Sequence, residues 1–342
     1  MSANELINKK ERATRVVEHN GKKINTSHFD GNIDMDIVNE IRNGYYNEDK
    51  DKAIENIRKI LINHQTRTSD LYNYYFARVA NDTVVANCKW SINEALASDE
   101  LVQTMYNKTL INDKVFSSKN KLSNFKKAID LSGAGYFKKA TQFPIKIMRS
   151  LLDEFTNPGD LYYDPCCGWG MRMLVSAEKG VKYVGNDINQ DLVKKLQEFG
   201  KDINTVKDFK YAILPQGSEI FLPHLEDKVD FIFTSPPYFD LEVYKGSENL
   251  KETSYDLWLE TFIRPMLENC FKYIKDNKYV AINIKNGRKN MLYDDTRAIG
   301  EQVGFKFVGE RDLKQGNRTV VNQERTIGDS SEKIMVLQKV SG

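Results

Sequence analysis

Leu161-Tyr162-Tyr163-Asp164-Pro165-Cys166-Cys167-Gly168-Trp169-Gly170 is an apolar and aromatic run that ends in an acid and breaks into a glycine-containing turn. Met171–Lys179 then takes up helical spacing. Gly168 and Gly170 let the backbone approach a ligand closely and present amides at a helix N-terminus. Tyr183–Asp187 reads as a second strand ending in an acid, where a carboxylate can accept both ribose hydroxyls of a nucleoside cofactor. A dinucleotide fingerprint wants a third glycine about three residues on, and position 173 is Met. Pyrophosphate would be repelled by Asp164, whereas the ammonium of S-adenosylmethionine would be attracted to it. The turn therefore favours S-adenosylmethionine over a nicotinamide cofactor, with a plain strand–turn–helix and incidental acids as the bland alternative.

Outward from this turn, short β-branched or aromatic runs alternate with helical patterns. Strands are expected at Leu161–Asp164, Tyr183–Asp187, Phe209–Leu214, Val229–Ser235, Tyr279–Ile284, Phe305–Glu310 and Lys333–Gln338, with helices such as Gln190–Phe199 and Leu257–Ile274 between them. That alternation predicts an α/β fold: a doubly wound, Rossmann-like, mostly parallel sheet with an antiparallel last strand. Ile33–Tyr45, Lys52–His64, Ser69–Ala80 and Ser91–Tyr106 have helix-compatible spacing with few strand signals. The expected division is a helical N-terminal domain, 1–135, and a sheet domain, 136–342, parting near Gly133-Ala134-Gly135. The first ~25 residues are expected to be partly disordered.

The 342 residues are 40% hydrophobic with net charge +2, too little to announce a nucleic-acid binder. The first 140 residues are mildly basic and the remainder mildly acidic. No apolar run is long enough to span a membrane, and the N-terminus has no apolar signal core. Four cysteines without metal-ligand spacing suggest neither a disulfide framework nor a metal site, so a cytoplasmic location without metal is expected.

Val229–Thr234 is a buried-strand run that ends in Ser235-Pro236-Pro237-Tyr238. Two prolines remove two donors and fix two φ angles, so the turn is stiff and leaves carbonyls free to accept from a ligand. An exocyclic amine is a poor nucleophile while its lone pair is conjugated into the ring. Hydrogen bonds accepted by Ser235 Oγ and the Pro236 carbonyl would localise that lone pair, and Tyr238 would stack on the ring. Alone, such a turn is more often structural; at the C-terminal end of a cofactor-binding sheet the balance reverses.

Together these motifs resemble the DNA amino-methyltransferases, the adenine-N6 and cytosine-N4 enzymes. Asp164–Gly170 is similar to their first motif, and Ser235–Tyr238 to their catalytic Asp/Asn/Ser-Pro-Pro-aromatic motif. Ala140–Ile145 resembles the segment that contacts the methionine end of the cofactor, and Gln216–Glu219 the motif near its adenine, although Asp is commoner at Ser218. The likeness covers residues 136–342, and the stretch after the catalytic turn also resembles phage-encoded members.

The resemblance implies S-adenosylmethionine held by Thr141, Phe143, Pro144, Asp164, Cys166, Gly168, Gly170, Asp187, Ile188 and Ser218. It implies Ser235, Pro236, Pro237 and Tyr238 as catalytic residues, and DNA as partner with its target base flipped out. Serine at 235 leans toward cytosine-N4. The gap between Asp187 and Thr234 has no room for a recognition domain, which leaves the N-terminal part to contact DNA. Lys119, Lys121, Lys126, Lys127, Lys138 and Lys139 are candidates for phosphate contacts, against the more common reading of a solvated helix face; Arg311, Lys314, Arg318 and Arg325, in a polar stretch before the last strand, form either a loop over the site or an ordinary exposed loop. A Pro-Cys nucleophile is excluded because proline follows Pro236; Cys166 and Cys167 read as small pocket-lining residues. The rivals are an amino-methyltransferase for RNA or protein glutamine, and a silent DNA-binding decoy, against which Asp164, Asp187 and Ser235 argue. A partner restriction endonuclease is left open.

Overall fold

In the computed structural model, residues 15–46, 48–85, 88–110, 119–131, 140, 142–239, 242–243, 254–287, 290–312 and 332–341 are described. The chain forms two compact units, residues 1–48 with 77–140 and residues 49–76 with 141–342. Against the single cut expected at residue 135, the units part at residue 140 and residues 49–76 group with the sheet. The physical reason is aromatic packing, since the Phe76 and Tyr75 rings lie 5.2 and 4.9 Å from that of Phe199.

The first unit opens with a hairpin, β1 (Arg15–His19) and β2 (Lys22–Thr26), where partial disorder was expected. Its turn is Asn20-Gly21, both residues left-handed, the chemistry a tight hairpin requires. Val17 and Ile24 pair across it and face inward. Helix α1 (Met35–Gly44) follows, capped by Asp34. Helices α2 (Lys50–Asn63), capped by Asp49, and α3 (Ser69–Tyr75) belong to the second unit. The first resumes with α4 (Ala77–Ala80), β3 (Val84–Val85), α5 (Ile92–Leu96), α6 (Asp99–Thr109) and α7 (Lys121–Leu131). The expected helix Ser91–Tyr106 is thus two, because Ser91 caps one in a capping box with Glu94 and Ser98 caps the next. Val17, Ile24, Val38, Ile41, Trp90 and Phe125 share the core of this unit.

In the second unit the chain alternates as expected: α8 (Ile145–Phe155), β4 (Leu161–Asp164), α9 (Met171–Lys179), β5 (Lys182–Asn186), α10 (Gln190–Asn204), β6 (Tyr211–Leu214) and β7 (Val229–Thr234). Then come β8 (Glu242–Val243), α11 (Tyr255–Trp258), a π turn at Leu259–Ile263, α12 (Arg264–Tyr273), β9 (Ile274–Ile284), α13 (Leu292–Val303), β10 (Lys306–Asp312) and β11 (Lys333–Gln338). Seven strands lie in the order β10-β11-β9-β7-β4-β5-β6. Strand β11 is antiparallel to both its neighbours, whereas β9, β7, β4, β5 and β6 run parallel. The doubly wound sheet with an antiparallel last strand is therefore present. From β4 the chain winds outward through β5 to β6, then returns to β7 on the other side of β4. The C-terminal ends of β4 and β7 flank this topological switch point, where ligands bind in open α/β sheets. Among the described residues no helix is long and apolar enough to cross a membrane.

Candidate active site

Strand β4 delivers Asp164, fully buried, to the switch point. Its Oδ2 accepts from Arg172 Nε at 2.7 Å and from the Tyr183 hydroxyl at 2.9 Å, while Oδ1 has no hydrogen-bond partner. Burial raises the carboxyl from its ordinary value, and Arg172 pulls it back. The Arg172 guanidinium also donates to the Cys166 carbonyl, tying helix α9 to the turn that precedes it. Gly168 and Gly170 are both left-handed, at φ +56° and +72°. They differ in what surrounds them. A Cβ on Gly168 would come no nearer than 3.4 Å to Arg172 Nη2, but one on Gly170 would lie 2.5 Å from Phe76 Cζ. Cys167 packs over Gly185, whose absent Cβ would sit 2.4 Å from its sulfur. Burial pushes the Cys166 thiol up to about 12, so it is an inert neutral group near pH 7.

Strand β5 ends in Asn186, fully buried with Oδ1 unpartnered, followed by Asp187. Asp187 Oδ1 accepts from the Asn189 amide at 2.9 Å, and burial lifts its carboxyl to about 6. Ile188 beside it is 47% exposed. Ser218 is buried with its Oγ unpartnered, while its carbonyl accepts from Asn269 at 3.0 Å. The Phe143 ring lies 5.0 Å from that of Phe233, and Pro144 is the N-cap residue of α8. Thr141 lies outside the described residues. Three buried polar atoms without partners, Asp164 Oδ1, Asn186 Oδ1 and Ser218 Oγ, suit a ligand rich in amino and hydroxyl groups.

Strand β7 ends beside this pocket wall in Ser235-Pro236-Pro237-Tyr238. Ser235 Oγ accepts from Asn283 Nδ2 at 3.2 Å. The same amide nitrogen donates to Glu332 Oε1 at 2.8 Å, and the Tyr238 hydroxyl donates to that oxygen at 2.9 Å. Lys285 Nζ lies 5.8 Å from the Tyr238 ring centre. Pro236 is buried; Ser235, Pro237 and Tyr238 are half-buried. Asn283, Lys285 and Glu332 were missed from sequence, as was Arg172. Asn283 left one signal, a polar residue inside the apolar run Val280–Ile284.

The basic candidates separate. Lys119 and Lys127 are exposed, Lys121 Nζ lies 3.7 Å from Glu40, and Lys126 donates to the Gly44 carbonyl at 3.2 Å. Arg311 is in neither of the loops expected: it sits in β10, buried, paired with Glu154 and over the Phe155 ring. Lys138, Lys139, Lys314, Arg318 and Arg325, with Gly133-Ala134-Gly135, lie outside the described residues.

An acid after β5 and a Pro-Pro turn after β7, at the C-terminal ends of parallel strands, suit a methyltransferase of the doubly wound class. The family model of the N6/N4 methyltransferases, described as DNA methylase, matches residues 9–198, and the chain belongs to that family. S-adenosylmethionine is its methyl donor. The match ends ahead of the Ser235–Tyr238 turn. A protein of Methanocaldococcus jannaschii, provisionally named a ribosomal RNA large subunit methyltransferase, is 27% identical over 140 residues, 38% of this chain. The matched part spans only 35% of that relative's length. Among solved structures, a TehB-like S-adenosylmethionine-dependent methyltransferase from Corynebacterium glutamicum is 14% identical at TM-score 0.40, over 56% of this chain and 87% of that one. TrmN from Thermus thermophilus is 18% identical at TM-score 0.37, over 56% and 48%.

Proposed function

We propose that the chain methylates an exocyclic amine of a base in DNA, cytosine-N4 or adenine-N6, with the serine at 235 favouring cytosine. The observation that carries this reading is the half-buried Ser235–Tyr238 turn at the same switch point as buried Asp164, whose Oδ1 has no partner. Bound there, S-adenosylmethionine supplies an electrophilic methyl group. Ser235 Oγ and the Pro236 carbonyl accept from the amine protons, which frees the nitrogen lone pair; Tyr238 holds the base in line. The nitrogen–carbon bond forms as the sulfur–carbon bond breaks, and one amine proton leaves to solvent.

Asp187 takes the ribose hydroxyls. Ile188 and Ser218 take the adenine side, and Phe143, Pro144 and Thr141 the methionine side. Asp164, Cys166, Gly168 and Gly170 form the floor between them. The N-terminal part, with Lys119 and Lys127 exposed, is the proposed DNA contact.

The test is transfer of label from S-adenosylmethionine to unmodified DNA, followed by nucleoside digestion and mass spectrometry. N4-methylcytosine or N6-methyladenine is the expected product, formed at only a small residual rate by Ser235→Ala. Label in RNA and none in DNA would overturn the DNA reading in favour of the acceptor named for the archaeal relative.

A further inference from the structure

We propose that Asn283 is a positioning residue that sets the Ser235 hydroxyl for the amine, with Glu332 fixing the Asn283 amide in turn; this rests on the role given to Ser235 above. A hydroxyl oxygen has two acceptor lone pairs and one proton. Asn283 Nδ2 donates to Ser235 Oγ, so one lone pair is occupied and the rotor loses its freedom. The second lone pair is left for the base amine. The orientation of the amide is fixed by chemistry: the Glu332 carboxylate only accepts, so the group 2.8 Å from it must be the NH2. A flipped amide would set two oxygens against each other. Glu332 Oε1 also takes the Tyr238 hydroxyl, so one carboxylate registers both ends of the Ser235–Tyr238 turn. Asn283 is 2% exposed, and it pairs with Ile334 of β11 one residue past the point where β9 pairs with β7, which makes it a rigid support.

Asn283→Asp keeps the shape and removes the donor. The new carboxylate repels Glu332 and can only accept from the Ser235 hydroxyl, so no donor anchors Oγ and the link from Ser235 through position 283 to Glu332 is broken. We expect kcat to fall at least tenfold near pH 8, with the S-adenosylmethionine Kd by calorimetry within twofold of the parent. Two neighbouring carboxylates share a proton as pH falls, and a protonated carboxyl at position 283 again has a donor. The kcat of Asn283→Asp relative to the parent should therefore rise between pH 8 and 5.5, whereas that of Ser235→Ala should not. The acceptor is whichever of unmodified DNA or total RNA takes label from the parent enzyme. In a Ser235→Ala background, adding Asn283→Asp should cost less than twofold more, because the hydroxyl it serves is gone.

Multiplying losses, or an Asn283→Asp ratio that is flat with pH, would overturn the positioning role while leaving Ser235 in place. Full activity of Ser235→Ala would instead overturn the proposed site itself, and the Asn283 role with it. Glu332→Gln, which still offers an acceptor oxygen, should retain more activity than Glu332→Ala; equal loss would also count against the proposal.

Discussion

Gly170→Ala is the substitution that the structure turns into numbers most directly. At φ +72° an L-residue is held in the left-handed region at a cost of about 1–2 kcal/mol. The added Cβ would meet Phe76 Cζ at 2.5 Å, Cε2 at 2.9 Å and Phe199 Cε1 at 3.2 Å. Overpacking of that kind in a close-packed interior costs a further ~1–3 kcal/mol, giving about 2–5 kcal/mol in all. Gly168→Ala is the control, since φ +56° carries the same backbone cost with no atom nearer than 3.4 Å. The difference, ~1–3 kcal/mol, corresponds to roughly 2–12 °C in Tm at ~2–4 °C per kcal/mol. Thermal and urea unfolding of both variants measures it, and Phe76→Leu should hurt the Gly170→Ala protein less than the parent. Equal stabilities for the two alanine variants would refute the aromatic-wall account and return Gly170 to a purely ligand-facing role.

Burial lifts Asp187 to about 6 from 3.8, so the folded, cofactor-free protein holds a proton there that the unfolded chain has lost. Stability should fall as pH rises through that window. S-adenosylmethionine, whose hydroxyls need the ionised carboxylate, should bind about tenfold more weakly per unit below pH 6; calorimetry from pH 5 to 8 giving a flat Kd would contradict the assignment. Arg172→Met leaves the buried Asp164 charge uncompensated and should cost about 3–5 kcal/mol in urea unfolding, with Asp164→Asn added to it recovering part. Arg311→Ala should lower Tm while leaving the salt dependence of DNA binding unchanged; a shallower salt slope would show that Arg311 contacts phosphate instead.

The sheet was legible because strands such as β4, β7 and β11 are almost wholly buried and read as apolar runs. Val229–Thr234 is buried at every position, and Lys333–Gln338 coincides with β11. The N-terminal hairpin was not, although Asn20-Gly21 between Val17 and Ile24 carries its signal. Strands of five residues with one or two inward side chains give periodicity little to work on. Residues 49–76 joined the sheet unit through Tyr75 and Phe76, contacts that spacing along one helix does not reveal. At the site, glycines and prolines announce themselves because their backbone chemistry is singular. Arg172, Asn283 and Glu332 do not, since each matters only for a partner distant in sequence or folded onto it by a turn.

The placement of buried polar atoms argues for a ligand independently of any motif. A buried donor or acceptor without a partner costs about 1–3 kcal/mol, and folded chains carry few. Here Asp164 Oδ1, Asn186 Oδ1 and Asn283 Oδ1 lie at the C-terminal ends of three parallel strands, β4, β5 and β9, with Ser218 Oγ after β6. Apolar replacements such as those that fill the rest of each strand would remove that cost. Retaining polar groups there is costly in the empty protein and becomes favourable once hydroxyl and amino groups of a ligand occupy them. Binding should then stabilise the sheet unit by mass action, about 2.7 kcal/mol at a hundredfold excess over Kd. The same ligand concentration should stabilise less once Asn186→Leu has removed one of those acceptors and raised Kd, although the leucine leaves no unsatisfied group in the empty protein.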